Sequence, residues 1–423
     1  MTGPRFGPLH GYRGIVLTQA WAGSYATQIL GMLGAEIIQV EFHGRPDSWR
    51  GAYDRPIPDT VRDAPGASAN QHTWNVNPNY NSVNLNKQCI TLNLTHPDGV
   101  EIFKRLVPLA DFVVENFAPR VIGNLGIDYD ALRQIKPDII LCSLSAFGNN
   151  GPWRDVPGIG GTIEPISGMS ALLGYEDGPP LNSGQMYPDA AAGLNGFAGI
   201  VTALMHREMT GEGQYIDLSM QEASLAFIGD AMLEERMTGN VRGRLGNRHM
   251  TFAPHGIYAA ADGNWLALAA ETEAQWAALS GIAGHEEWLR DARFGVNEAR
   301  KANEDALDVE IGAWVAGEER DSLAEQLSQA GVMAAAVLDA HEVAADKALR
   351  DRGFIVEVEH PEAGVHPQSG VPVRFSDTRA KVERHAPLQG QHTQEVLERF
   401  LGVEEVEYQD LLKRGVTGAG PSN

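Results

Sequence analysis

The stretch "YPDAAAGLNGFAGIVTALMHRE", from Tyr187 to Glu208, holds the residue best placed to do chemistry. Pro188 and Asp189 open a run of small and apolar residues, which puts Asp189 in the first turn of a predicted helix. There the unpaired N–H groups and the positive end of the dipole are expected to lower its pKa and keep it ionised. An ionised, reachable carboxylate can act as a covalent catalyst. The same position also suits a plain capping acid. Gly193, Gly196 and Gly199 recur every third residue behind Ala190–Ala192, so the helix can approach another backbone or a ligand closely. Leu194, Phe197, Val201, Leu204 and Met205 supply its core stripe. These residues alone leave capping and catalysis both open.

Other chemistries find little support. No GxxxxGK[ST] occurs, no GxGxxG follows the first predicted strand, and HExxH, zinc-type Cys/His spacing and a GxSxG elbow are all missing. "GEG" at 211–213 reads as a helix C-cap and turn. No metal site is expected. Arg242, Arg244, Arg248 and His249 cluster in "VRGRLGNRHM", which suits either a solvated basic linker or a pocket for an anion.

The elements that must position Asp189 follow from periodicity. Strands are predicted at 14–19, 36–41, 111–117 and 138–147, with helices at 22–35, 96–110 and 128–137 between them. A loop rich in Pro, Asn and Asp fills 43–82. Near-continuous Val/Ile/Leu strands alternating with helices imply an α/β fold with a parallel sheet covered on both faces. "HGIYAAADGNWLALAAE" (255–271) reads as two strands joined by a turn. Further strands are predicted at "FIVEVEH" and "VPVRFS". The 423 residues allow two domains. A net charge of −22, from 33 basic and 55 acidic side chains, argues against a nucleic-acid partner. Two cysteines, no apolar leader and no long apolar run point to a cytoplasmic protein without a membrane partner.

Six blocks in order resemble the family III CoA-transferases (CaiB/BaiF type), the group of formyl-CoA and carnitine CoA-transferases. They are "LTQAWAGSYATQILGMLGAEIIQVE" (17–41), "NKQCITLNLTHPDG" (86–99), "ADFVVENFAPRVIGNLGIDYDAL" (110–132), "CSLSAFGNNGPW" (142–153), "HREMTGEGQYIDLSMQEA" (206–223) and "APLQGQHTQEVLERFLG" (386–402). The resemblance implies that Asp189, in "MYPDAAAG", is a nucleophile that moves CoA from a donor acyl-CoA to an acceptor carboxylic acid through covalent aspartyl intermediates. CoA thioesters would be substrate and product, with no permanently bound cofactor. It implies CoA contacts at Ala20, Trp21 and Ala22, at Leu92, Asn93 and Leu94, and at Asn116 and Phe117. Arg45, Arg50, Arg248 and His249 are the candidate anion contacts.

The same resemblance implies an interlocked homodimer with a Rossmann-like large domain and a smaller α+β domain. Residues 1–225 would form the N-terminal part of the large domain, 226–254 a linker, 255–330 the small domain, and 331–423 the completion of the large one. There are departures. Trp21 replaces a Gln of formyl-type members, Phe42 and Asn124 stand where they carry Arg, and "GNRHMTFAPHG" (246–256) replaces a Gly-rich tetrad. Formyl-CoA:oxalate exchange is therefore not expected. Two other activities fit the resemblance: a 2-methylacyl-CoA racemase, and a non-catalytic CoA-binding subunit of a heteromeric transferase. Ile159 stands where the racemase histidine would be, which counts against the first. The retained Asp189 counts against the second.

Overall fold

In the computed structural model, residues 6–420 are described. They divide into two compact units. The first comprises residues up to Met169, Asn182–Leu233 and residues from Lys347 onward, and the second comprises Ser170–Leu181 and Glu234–Asp346.

The first unit is built on six strands, β1 (Arg13–Leu17), β2 (Glu36–Glu41), β3 (Lys87–Thr91), β4 (Phe112–Glu115), β5 (Ile140–Ser145) and β6 (Tyr215–Ser219). All neighbours are parallel, in the order β3-β2-β1-β4-β5-β6. The order reverses at β1, and in open α/β sheets ligands bind at the carboxyl edge of such a switch point. β2 through β5 are buried on both faces, which explains their unbroken apolar runs. Two apolar layers cover the sheet. One contains Ile15, Phe103, Val113 and Leu141, and the other contains Val16, Leu30, Val114 and Leu144.

Most predicted elements appear, with ends shifted by up to four residues. β3, in "KQCIT", had no sequence signal. Its Lys87 is fully buried, donating to the Ser24 carbonyl at 3.0 Å and Asn84 Oδ1 at 2.7 Å. Burial pushes that amine down to about 7. The C-terminal segment covers this edge strand, with His392 N–H donating to the Cys89 carbonyl at 2.9 Å.

Three expectations fail along the rest of the chain. "VPVRFS" is irregular, because the strand Ile355–His360 pairs instead with Gly364–Ser369 in a tight antiparallel hairpin. Residues 331–346 do not return to the first unit. Met333–Ala336 forms the third strand of a small antiparallel sheet with His255–Ala259 and Trp265–Ala269. Behind that sheet Trp276, Phe294, Leu307 and Ile311 form a separate core. The segment 226–254, expected to be a linker, contains the helix Gly229–Thr238. Among the described residues no helix is long and apolar enough to cross a membrane.

Candidate active site

Asp189 sits in the first turn of the Tyr187–Thr210 helix, with Pro188 ahead of it. Met186, just before the helix, is held left-handed at φ 49°. The carboxylate is half-buried, and its Oδ2 is a buried oxygen with no hydrogen-bond partner among the described residues. Gly160 lies against it: a Cβ there would be 1.8 Å from Oδ2, so only glycine leaves the carboxylate in place. Gly193 and Gly196 serve packing. Their Cβ atoms would fall 2.9 Å from the Ala22 carbonyl oxygen and 2.9 Å from the Leu144 side chain, respectively.

The electrostatics reverse the sequence expectation. Burial pushes the Asp189 carboxyl up to about 6, opposed by the backbone N–H groups of Ala22 and of Asp189 itself. Ala22 is the first residue of α1 (Ala22–Met32), so a second helix N-terminus also faces the acid. Desolvation outweighs both helix ends because few solvent dipoles remain to support the charge.

Asp189 borders a cleft of about 520 Å³ at the carboxyl edge of the sheet, between the loops that follow β1 and β4. Ala20, Ala22, Asn116 and Phe117 line it, as do Trp49, Ile159 and Gly160. Trp21 stands behind that wall, its ring 5.7 Å from the ring of Trp49. The Asn116 amide clamps the loop: it accepts from Gln19 N–H and donates to the Gln19 carbonyl, both at 2.8 Å. The approach to Asp189 is held from the other side by Glu164, whose carboxylate accepts from Ser183 N–H at 2.6 Å and Ser183 Oγ at 3.0 Å.

Other expected contacts lie elsewhere. Leu92 is buried, with its N–H on the Glu41 carbonyl. Asn93 Oδ1 accepts from Thr95, and Leu94 packs on the core. None of the three lines the cleft. Arg45 is exposed outside it. Arg50 is wholly buried and bidentate with Glu41, at 2.8 Å to each oxygen, so it is committed to the fold. Arg248 and His249 belong to the second unit. Arg248 pairs there with Asp305 at 2.6 Å and Asp308 at 2.7 Å, and His249 packs on Phe252. Arg242 pairs with Glu234, and Arg244 donates to the Gly178 carbonyl at 2.6 Å.

The cations that do line the cleft are Arg120 and Arg154. Both are exposed, and neither guanidinium has a partner among the described residues. Arg120 was within reach of sequence reading, four residues beyond Asn116 in "ENFAPR". Ser145 was also missed: it lines the cleft, and its buried Oγ has no partner among the described residues. Asp155 adds an exposed carboxylate to the cleft wall. Among the described residues no group of three or more His, Cys, Asp or Glu side chains could hold a metal ion.

Known proteins resemble this chain along most of its length. The chain is 32% identical over 398 residues to a succinyl-CoA–D-citramalate CoA-transferase of Chloroflexus aurantiacus, covering 94% of this chain and 95% of that one. It is 31% identical to a succinate–glutarate CoA-transferase of Agrobacterium fabrum, covering 94% and 96%. A CaiB/BaiF family protein from Brucella suis superposes with a TM-score of 0.84 at 28% identity, over 94% of this chain and all of that one. The family model of CoA-transferase family III matches residues 9–393, and the chain belongs to that family of enzymes.

Proposed function

We propose that this enzyme transfers CoA from a donor acyl-CoA to an acceptor carboxylic acid through covalent intermediates on Asp189. The observation that carries the reading is a buried carboxylate oxygen at the switch-point cleft with no hydrogen-bond partner among the described residues. Asp189 Oδ2 attacks the thioester carbonyl; the C–S bond breaks, giving an acyl–aspartyl anhydride and CoA thiolate. The thiolate attacks the aspartyl carbonyl of the anhydride, releasing the donor acid and forming an aspartyl–CoA thioester. The acceptor carboxylate attacks that thioester and frees the thiolate again. Attack of the thiolate on the acceptor's acyl carbon forms the product thioester and regenerates Asp189.

The nucleophile must be ionised, and burial raises its pKa to about 6. Single-turnover release of CoA from a saturating acyl-CoA is therefore expected to rise from pH 5 through about 6 and to level off above it. A rate independent of pH across that range would contradict the assignment. Incubation with acyl-CoA and hydroxylamine should leave a hydroxamate on the peptide carrying Asp189, detected by mass. No adduct and no CoA release would favour a passive CoA-binding subunit.

Arg120 and Arg154 are proposed to meet the CoA phosphates, since both are exposed on the cleft wall and unpaired among the described residues. Arg120→Ala should raise the KM for acyl-CoA about tenfold with little change in kcat, as expected for loss of one charge-assisted contact. An unchanged KM would assign the phosphates to other groups. The relatives' names make succinyl-CoA the first donor to test, against a panel of carboxylic acids. Solvent deuterium appearing at C2 of a 2-methylacyl-CoA would instead support racemase chemistry.

A homodimer is proposed on the exposed apolar side chains of the Gly229–Thr238 helix. Met232, Leu233 and Met237 are 53%, 58% and 75% exposed, with Phe227 and Val241 beside them in sequence. Light scattering should return twice the chain mass. A cytoplasmic setting suits the two buried free thiols, one of which, Cys89, donates to Glu41 at 3.2 Å.

A further inference from the structure

We propose that Asp47 is a positioning residue for the nucleophile, holding Ala20 in a left-handed turn that sets the loop after β1, with Ala22, on the wall of the Asp189 cleft. The proposal rests on Asp189 being the nucleophile. Ala20 has φ 53°, and the only other described non-glycine residues with positive φ are Asn86 and Met186. Ala20 and Met186 both line the Asp189 cleft. An alanine stays left-handed only where its surroundings over-determine it.

At Ala20 those surroundings are a single carboxylate and the clamp before it. Both oxygens of Asp47 accept the Ala20 N–H, at 2.9 and 3.0 Å. The Asn116 amide has already fixed the N–H and carbonyl of Gln19. Asp47 Oδ1 also accepts from Trp49 N–H at 2.9 Å, starting the turn that sets the Trp49 ring on the cleft wall. One side chain thus ties the loop after β1 to the segment that follows β2.

The choice of a carboxylate is informative. Asp47 is 1% exposed and makes no ion pair among the described residues. Burial and the nearby charge of Glu41 push it up to about 6, with Arg50 and the two N–H groups acting the other way. A neutral asparagine would cap Trp49 at lower desolvation cost. Its amide would turn a donor toward one of the two N–H groups, whereas a carboxylate only accepts. Oδ1 reaches both N–H groups, and Oδ2 adds a second acceptor at the Ala20 N–H, where the asparagine NH2 would stand as a donor.

The test compares the single-turnover rate of Asp189 acylation, kcat, KM and melting temperature across five proteins. These are the wild type, Asp47→Asn, Asp47→Ala, Ala20→Gly and the double variant Ala20→Gly/Asp47→Ala. Asp47→Ala should slow acylation about tenfold, the factor equivalent to the strain of one left-handed residue, with a smaller change in KM. Glycine takes φ 53° without strain, so the double variant should recover most of that loss. The near-isosteric Asp47→Asn should fold normally and fall between wild type and Asp47→Ala. A double variant as slow as Asp47→Ala, or Asp47 variants that acylate at the wild-type rate, overturns the proposal. Wild-type protein that forms no adduct on Asp189 overturns the underlying reading instead.

Discussion

Asp189→Asn is expected to lower kcat by more than about a thousandfold and, above pH 6, to make the protein more stable than wild type. Asparagine keeps the shape and the capping capacity of the acid but is no longer a carboxylate nucleophile. The stability change follows from the raised pKa. Between the ordinary 3.8 and about 6 the folded state holds the Asp189 proton more tightly than the unfolded state does. Ionised Asp189 therefore costs stability that grows with pH through this window and is fully present above about 6. Asparagine removes that cost, which is at most about 3 kcal/mol for a shift of this size. The gain should shrink as pH falls and vanish below about 4. Steady-state kinetics and melting curves at pH 8 and pH 4 check both halves. A fully active variant would sink the assignment of Asp189, and equal melting points for variant and wild type at pH 8 would show that its charge is not desolvated.

The second large effect concerns Arg50, for which the sequence suggested an anion contact. Arg50→Met is expected to destabilise the protein by about 3–5 kcal/mol, because it strands a buried carboxylate. Arg50 is held on Glu41, stacks 3.6 Å from the Tyr80 ring centroid, and donates to the carbonyls of Trp74 and Pro387. Burial pushes Glu41 up, yet the Arg50 charge and hydrogen bonds from Arg50, Tyr80 and Cys89 bring it below its usual value. The pair's contribution is thus present above the ordinary 4.5 and is lost as pH falls through the lower folded value. Denaturant unfolding at pH 7 measures the loss, and adding Glu41→Gln to Arg50→Met should recover part of it. Wild-type stability together with a raised KM for acyl-CoA would return Arg50 to the role of anion contact.

Much of the scaffold was legible in residue order. Ile37, Ile38 and Val40, like Phe112–Val114 and Ile140–Leu141, form runs that only a doubly covered parallel strand accommodates. Pro188 and Asp189 marked a helix start because N-terminal preferences act within a single turn. β3 was invisible for the opposite reason. Lys87 and Gln88 read as surface residues, and their burial depends on acceptors that other segments supply, such as the Ser24 carbonyl.

The roles of charged residues were legible least. Arg50, Arg120 and Arg248 are chemically identical. One is spent on Glu41, one lies on the cleft wall without a partner among the described residues, and one is spent on Asp305 and Asp308. Asn116 fits an expected ligand contact by position, yet its amide is consumed by the Gln19 backbone. The sequence by itself determined the strand–helix alternation, the helix that carries Asp189 and the family, all of which rest on local spacing or ordered blocks. Tertiary structure alone decided the direction of the Asp189 pKa, the left-handed turn at Ala20 and which cations remain available. Desolvation and partner choice are set by contacts between distant segments, as where Arg50 meets the Pro387 carbonyl 337 residues away, and no local window contains them.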